Sequence, residues 1–231
     1  MYSGLLLLVA IIFPLPAIIK GIKKGQDPYK TVTDGIITAG VGLVFIYILS
    51  SVSTGGIAAE TEESIRLITE SLGEKTEEYK EYFAGAVMVL PAAMLCLSAV
   101  CGYAEYKGLY RILQKDNAKA MEMPPFRDFS WPRNSIYGWF LIFIISWTMK
   151  AAGSGLGEIT AANINVIFET AFAFQGAALV FMIFYIKKIP KDLAVILVIT
   201  AWIVPFGKNV LFIGGIADIV LGIKIRISRK Q

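Results

Sequence analysis

The sequence predicts an all-α protein, a polytopic transmembrane helix bundle with about seven membrane segments. Three observations carry that prediction. Of 231 residues, 56% are hydrophobic and 17% charged, against roughly 25% charge in an average soluble domain. The apolar residues come in blocks close to the length, about 20 residues, that a helix needs to cross roughly 30 Å of hydrocarbon. Lys and Arg gather in alternate connections between these blocks, the pattern of a membrane protein that keeps its positive loops on the cytoplasmic side.

The first block, about Gly4 to Ile19, has no basic region in front of it and carries its positive cluster, Lys20, Lys23 and Lys24, behind. That order predicts a retained membrane helix rather than a cleaved signal peptide. Pro14 and Pro16 predict a kink or break, tolerated where neighbouring helices cover the freed backbone. A basic loop leads to the second block, about Thr33 to Val52. Residues 57–81 then carry eight glutamates against Arg66, Lys75 and Lys80, with Ile65, Ile68 and Leu72 at helical spacing. This segment is too polar to span and reads as an extracytoplasmic amphipathic acidic helix, interrupted near Gly73.

The third span, about Tyr82 to Gly102, precedes a basic cytoplasmic loop, 103–133, with Lys107, Arg111, Lys115, Lys119, Arg127 and Arg133. Glu105 to Lys115 fits a short interfacial helix, whereas Met123-Pro124-Pro125-Phe126 and Trp131-Pro132 interrupt regular structure. The fourth span is about Asn134 to Ala152, and its connection onward, Gly153 to Glu158, has no cation. The fifth runs from about Ile164 to Ile186 and stops at Lys187, Lys188 and Lys191. The last apolar region, Leu193 to Ile223, is too long for one comfortable helix. Treated as one pass, it would leave the tail Lys224, Arg226, Arg229 and Lys230 outside. Two short helices forming a hairpin, with a turn at Gly207 to Asn209, place that tail inside. The N-terminus is then outside, the C-terminus inside, and residues 1–231 form a single integral membrane domain.

Composition also removes function classes. There is no histidine, which excludes Ser-His-Asp catalysis, His-ligated haem and most zinc chemistry. Cys96 and Cys101 sit five apart in an apolar stretch, a spacing suited to neither a zinc knuckle nor a redox pair. The net charge of +4 is accounted for by the positive loops and does not call for nucleic acid. No cofactor is implied, and no nucleophile stands beside a base, so the chain is not read as an enzyme.

Polar residues inside spans are the candidates for function, because each costs a few kcal/mol unless a partner or water meets it. Asp34, Glu169, Gln175 and Asp218 stand out. Glu169 shares a helix face with Ala173, Gly176 and Ala177, so it points into the protein. The sharpest reading places Glu169, Lys150, Lys208 and Asn209 around an outward-facing polar pocket, with Glu158 and Asn163 at its rim. The alternative is an ion pair of structural purpose between Glu169 and one of the lysines. Asp218, on a face with Gly214 and Gly222, is read as an anchor of the last helix, within reach of Lys224, Arg226 or the inner loops. Asp34, on a face with Thr38 and Gly42, is read as structural, and Gln175 joins them as a structural polar residue within the membrane.

From about Tyr82 onward, three ordered motifs resemble the YybS-like family of predicted bacterial membrane proteins of unknown function. They are Met123-Pro124-Pro125-Phe126-Arg127 with Trp131-Pro132, Phe174-Gln175-Gly176-Ala177-Ala178-Leu179, and Gly214-Gly215-Ile216-Ala217-Asp218 with its basic tail. The resemblance implies a multi-pass protein of the bacterial cytoplasmic membrane and covers roughly the C-terminal two-thirds; the family is usually longer at its N-terminus. That family is in turn distantly similar to substrate-binding subunits of energy-coupling-factor transporters, which implies a small-molecule ligand and an ATPase partner subunit. Two functions follow as expectations: a solute-binding or transport component, or a non-catalytic scaffold or assembly subunit with other membrane proteins as partners.

Overall fold

The structure, a computed structural model, describes residues 2–53, 63, 66–67, 85–115, 119–153 and 155–228. Every regular element among them is helical. Apart from Glu63, Arg66 and Leu67, the expected acidic helix at 57–81 lies outside the described residues, as do 82–84 at the start of the expected third span. The domain expected from the sequence is built as two compact units, Met1–Met123 and Pro124–Gln231. The boundary falls beside the Pro124-Pro125 pair, where neither residue has an N–H to extend a helix.

In the first unit, α1 (Tyr2–Ile12) and α2 (Pro14–Lys24) follow each other across Phe13. Phe13 keeps helical angles, φ −65° and ψ −29°, and its N–H still reaches the Val9 carbonyl at 3.1 Å. Pro14 takes the first position of α2, where a missing N–H costs least, so Gly4–Lys24 makes one apolar stretch of 21 residues. Gly25, at φ 65°, closes α2 in the left-handed conformation. Helix α3 (Pro28–Ser53) returns antiparallel, with Gly21 against Thr31, Gly35 against Ile18 and Gly42 against Phe13 and Val9.

Helix α4 (Leu90–Leu113) runs antiparallel to α3, Gly40 lying beside Leu95 and Gly102 beside Val32. It passes straight through Gly102, so the interfacial helix expected from Glu105 is the continuation of the third span's helix. Nothing between Gly102 and Leu113 breaks a helix, and Tyr106 on that continuation is fully buried. Ile18, Ile22, Val32, Tyr106 and Met123 form one core of this unit; Leu6, Val9, Leu43 and Ile46 form another. The Tyr106 hydroxyl donates to the Met121 carbonyl at 2.7 Å and ties the chain after α4 to that core.

The second unit opens with a strap that includes a 3₁₀ turn, Phe126–Asp128, before α5 (Ser135–Ala151). After a short connection, α6 (Gly155–Ile186) runs for 32 residues, roughly 48 Å at 1.5 Å per residue. It starts at Gly155 rather than near Ile164, so the expected loop to Glu158 is mostly first turn. Helix α7 (Lys191–Ile203) and α8 (Pro205–Leu221) follow, and α9 (Ile223–Ser228) comes after Gly222, which sits at φ 62°. Phe168, Phe172, Ile136 and Ile219 are the buried centre of this unit.

The break between α7 and α8 corrects the expected turn. It lies at Val204, which is extended at φ −77° and ψ 128°, while Gly207, Lys208 and Asn209 are inside the first turns of α8. Proline disfavours helical geometry in the residue before it, so Pro205 sets the break one residue upstream of itself. The two axes bend by 114° there. Glu169 pairs with Lys208, and further along Gln175 pairs with Asp218, in the same order on both helices. Helices α6 and α8 therefore run in the same direction, and the chain must come back along α7 between them.

By length and composition, Gly4–Lys24, Pro28–Ile46 and Gly157–Ile186 can each cross a membrane, and the bent pair Lys191–Ile203 with Phe206–Leu221 makes a fourth if taken as one span. Ile136–Ala151 is apolar but shorter. Among the described residues, length and composition thus single out three to four of the seven expected segments.

The α6–α8 contact depends on two glycines. A methyl group on Gly215 would strike the Phe172 carbonyl and the Gly176 amide, and one on Gly176 would strike the Leu211 backbone. Gly214 faces open space. Gly215→Ala is accordingly expected to destabilise the protein by about 3 kcal/mol, while Gly214→Ala leaves it within about 0.5 kcal/mol. Reversible unfolding of both variants in detergent micelles measures the difference.

Candidate functional site

Two polar clusters sit in the second unit, and the first contains part of the expected pocket. Lys208 Nζ lies 3.1 Å from Glu169 Oε2. The other carboxylate oxygen accepts a hydrogen bond from Asn165 Nδ2 at 2.8 Å. The side chains of Lys208 and Glu169 are 27% and 33% exposed, so the pair is reachable from outside the unit. Asn165 was not singled out by sequence, although it precedes Glu169 by four residues and therefore shares its helix face.

Among the described contacts, Lys150, Glu158 and Asn209 are not brought to that pair. Lys150 is exposed and its ammonium lies 5.4 Å from the Trp147 ring centroid. Its backbone is against Gly157, about 18 Å along α6 from Glu169 at 1.5 Å per residue. The early start of α6 causes this separation by moving the α5–α6 turn away from the level of Glu169. Glu158 is exposed in the first turn of α6. Asn163 Nδ2 donates to the Ile159 carbonyl of its own helix at 2.9 Å. Asn209 follows Lys208 but is exposed. In the first unit, Asp34 is half-buried and accepts a hydrogen bond from Gln26 Nε2 at 2.7 Å.

The second cluster is built from Gln175, Asp218 and Lys224, and its charged side chains are only 3% and 8% exposed. Gln175 Nε2 donates to Asp218 Oδ2. The Lys224 N–H donates to Asp218 Oδ1 at 2.8 Å, and Lys224 Nζ lies 3.4 Å from Asp218 Oδ2. The left-handed Gly222 makes this possible, because it folds α9 back toward the carboxylate that precedes it. Burial pulls the Lys224 amine below the usual lysine range, and the neighbouring Asp218 pushes it back up.

Two members of this cluster, Gln175 and Lys224, also hold the strap. Gln175 Oε1 accepts the Trp131 N–H at 3.0 Å, Lys224 Nζ donates to the Phe129 carbonyl, and the Trp131 indole donates to the Ala171 carbonyl at 3.1 Å. Further along α6, Phe126 meets Phe174 and Phe181 edge-on, and the Arg127 guanidinium lies 3.7 Å from the Tyr185 ring centroid. Of the strap residues, the sequence singles out Trp131 as part of a motif and an interruption of regular structure, and gives Phe129 and Ser130 no role. The signal that might have placed them was an unsatisfied demand: a buried Gln has more hydrogen-bonding capacity than one Asp can fill.

One residue from each of the three short motifs, Trp131, Gln175 and Asp218, thus meets the others at one buried point. Residues 1–219 match the family of predicted membrane proteins designated DUF2232. The chain belongs to that family. It is also 23% identical over 173 residues to the uncharacterized protein YybS of Bacillus subtilis (strain 168), an alignment covering 75% of this chain and 52% of that relative. The chain therefore spans about half the length of the curated relative it matches. No solved structure matches the chain, and the further likeness to energy-coupling-factor subunits is not shown. A multi-pass protein of the cell membrane is what the family and the apolar helices together support.

Removing one partner of a buried ion pair leaves the other without compensation and typically costs about 3–5 kcal/mol. Asp218→Asn and Lys224→Met are each expected to lose stability on that scale, and the double variant less than their sum. A double-mutant cycle on thermal unfolding in micelles reads the coupling, and additive losses would rule out a latch formed by Asp218 and Lys224.

Proposed function

We propose that this chain is a non-catalytic integral membrane subunit that binds a small polar solute at the Glu169–Lys208 pair. The observation that carries the reading is the contrast between the two clusters. Asp218 and Lys224 spend their hydrogen-bonding capacity inside the unit, whereas Glu169 and Lys208 stay about one-third and one-quarter exposed. An ammonium has three donors and a carboxylate about four acceptor sites, and only one donor of Lys208 and two acceptor sites of Glu169 are engaged in the described contacts. A charged pair left open in an otherwise apolar helix layer is costly unless something polar meets it. The pair lies just inside the α7–α8 break, where a solute carrying charge of both signs can replace water.

In this reading the chain has seven segments, the Glu169 end faces outward, and a partner subunit, an ATPase or another membrane protein, couples binding to movement. Sidedness rests on the alternation of basic and neutral loops. A scaffold subunit is the competing reading, and the same experiment separates the two.

The test is purification in mild detergent followed by mass spectrometry of small molecules retained by the protein. Wild type is expected to carry a polar metabolite; Glu169→Gln and Lys208→Gln lose it at least tenfold while keeping their helical circular dichroism. A wild type with no retained solute, recovered in a large membrane complex, would favour the scaffold.

A further inference from the structure

The C-terminal end of α6 carries a cluster that neither the latch nor the Glu169 pair uses. The apolar stretch Gly157–Ile186 stops there, so Lys187 and Lys188 stand where hydrocarbon gives way to headgroups. The Arg127 guanidinium lies on the Tyr185 ring, two residues before Lys187 and three before Lys188, and Lys191 opens α7 three residues after Lys188. Tyr185 is half exposed, and the three lysines are exposed. Asp128 approaches Arg127 at 3.9 Å, but no carboxylate among the described residues pairs with Lys187, Lys188 or Lys191.

Backbone geometry adds an independent sign. Lys188 has φ 54°, the one positive φ outside glycine among the described residues. It closes α6 in the position where glycine is the unstrained choice, its N–H on the Tyr185 carbonyl and the Ile189 N–H on the Phe184 carbonyl. The left-handed region disfavours any side chain, yet the sequence places a cation there. Among the described residues that cation has no ion-pair partner.

We propose that Arg127, Lys187, Lys188 and Lys191 form a headgroup site for one anionic phospholipid. Stacking on Tyr185 fixes the plane of the Arg127 guanidinium and leaves its edge N–H groups for a phosphate. The lysines supply point charges around it, and Tyr185 meets the interfacial part of the lipid, where such rings are favoured.

The experiment uses the full chain in mild detergent, with phosphatidylglycerol or phosphatidylcholine added, read by native mass spectrometry. Phosphatidylglycerol is expected to be retained in preference, and each cation removed, as in Arg127→Gln or Lys187→Gln, weakens that retention about fivefold. Lys188→Gly separates binding from folding: it relieves the left-handed strain, so the melting temperature rises while lipid retention falls. Lys30→Gln, which removes an exposed cation from the first unit, leaves retention unchanged. Equal retention of the two lipids, or an equal loss with Lys30→Gln, would overturn the site. So would displacement of the lipid by an equimolar amount of inorganic phosphate, which would assign the cluster to the free anion.

Discussion

Asp218 lies buried in an apolar helix layer, and the second unit is arranged around meeting its charge. The carboxylate needs a cation, and Lys224 supplies one only because Gly222 turns the chain back after α8. It needs further donors, which Gln175 and the Lys224 amide provide. Those partners have capacity left over, and an unpaired buried polar group is expensive. The remaining acceptor of Gln175 and the remaining donors of Lys224 therefore fix the strap at Trp131 and Phe129. The close approach of α6 and α8 at Gly176 and Gly215 is the geometric condition for all of this, because it brings Gln175 and Asp218 within hydrogen-bond reach.

The two ionic layers of this unit differ in what surrounds them rather than in which residues form them. Both pair a Lys with a carboxylate, Glu169 of α6 with Lys208 of α8 and Asp218 of α8 with Lys224 of α9. At the Asp218 end, Gln175, the Lys224 amide and the Phe129 carbonyl of the strap meet the pair, whose side chains are only 3% and 8% exposed. At the Glu169 end, the break at Val204 sets the first turns of α8 next to α6, and the pair keeps 27% and 33% side-chain exposure. The same chemistry thus yields a lock in one layer and an accessible pair in the other.

Much of this was legible in the sequence wherever a local physical rule decides the outcome. Apolar block length located the helices and called for a division of the last apolar region, though at Gly207 to Asn209 rather than at Val204, and the cost of polar groups inside spans singled out Glu169, Gln175 and Asp218. Two things were not legible for a common reason. The start of α6 at Gly155 and the passage of α4 through Gly102 both depend on helix propagation into polar or glycine-bearing sequence, which tertiary packing permits and local propensity does not reveal. That early start took Lys150 away from Glu169. The strap was illegible as well, because its aromatic and backbone contacts join residues 40 or more positions apart.

The distance along the chain between the strap and its latch bears on how the protein is made. Phe129 and Lys224 are 95 residues apart. At ordinary rates of translation the ribosome takes roughly 5 to 20 s to cover that interval. Within it, Gln175 precedes Asp218 by 43 residues, so for part of that time α5 and α6 exist without a complete α8 and Gln175 has neither Asp218 nor a fixed strap beside it. Biogenesis of the second unit is therefore ordered: its aromatic strap and a buried amide must be sheltered, by lipid, water or an insertion factor, until the chain has doubled back and closed over them.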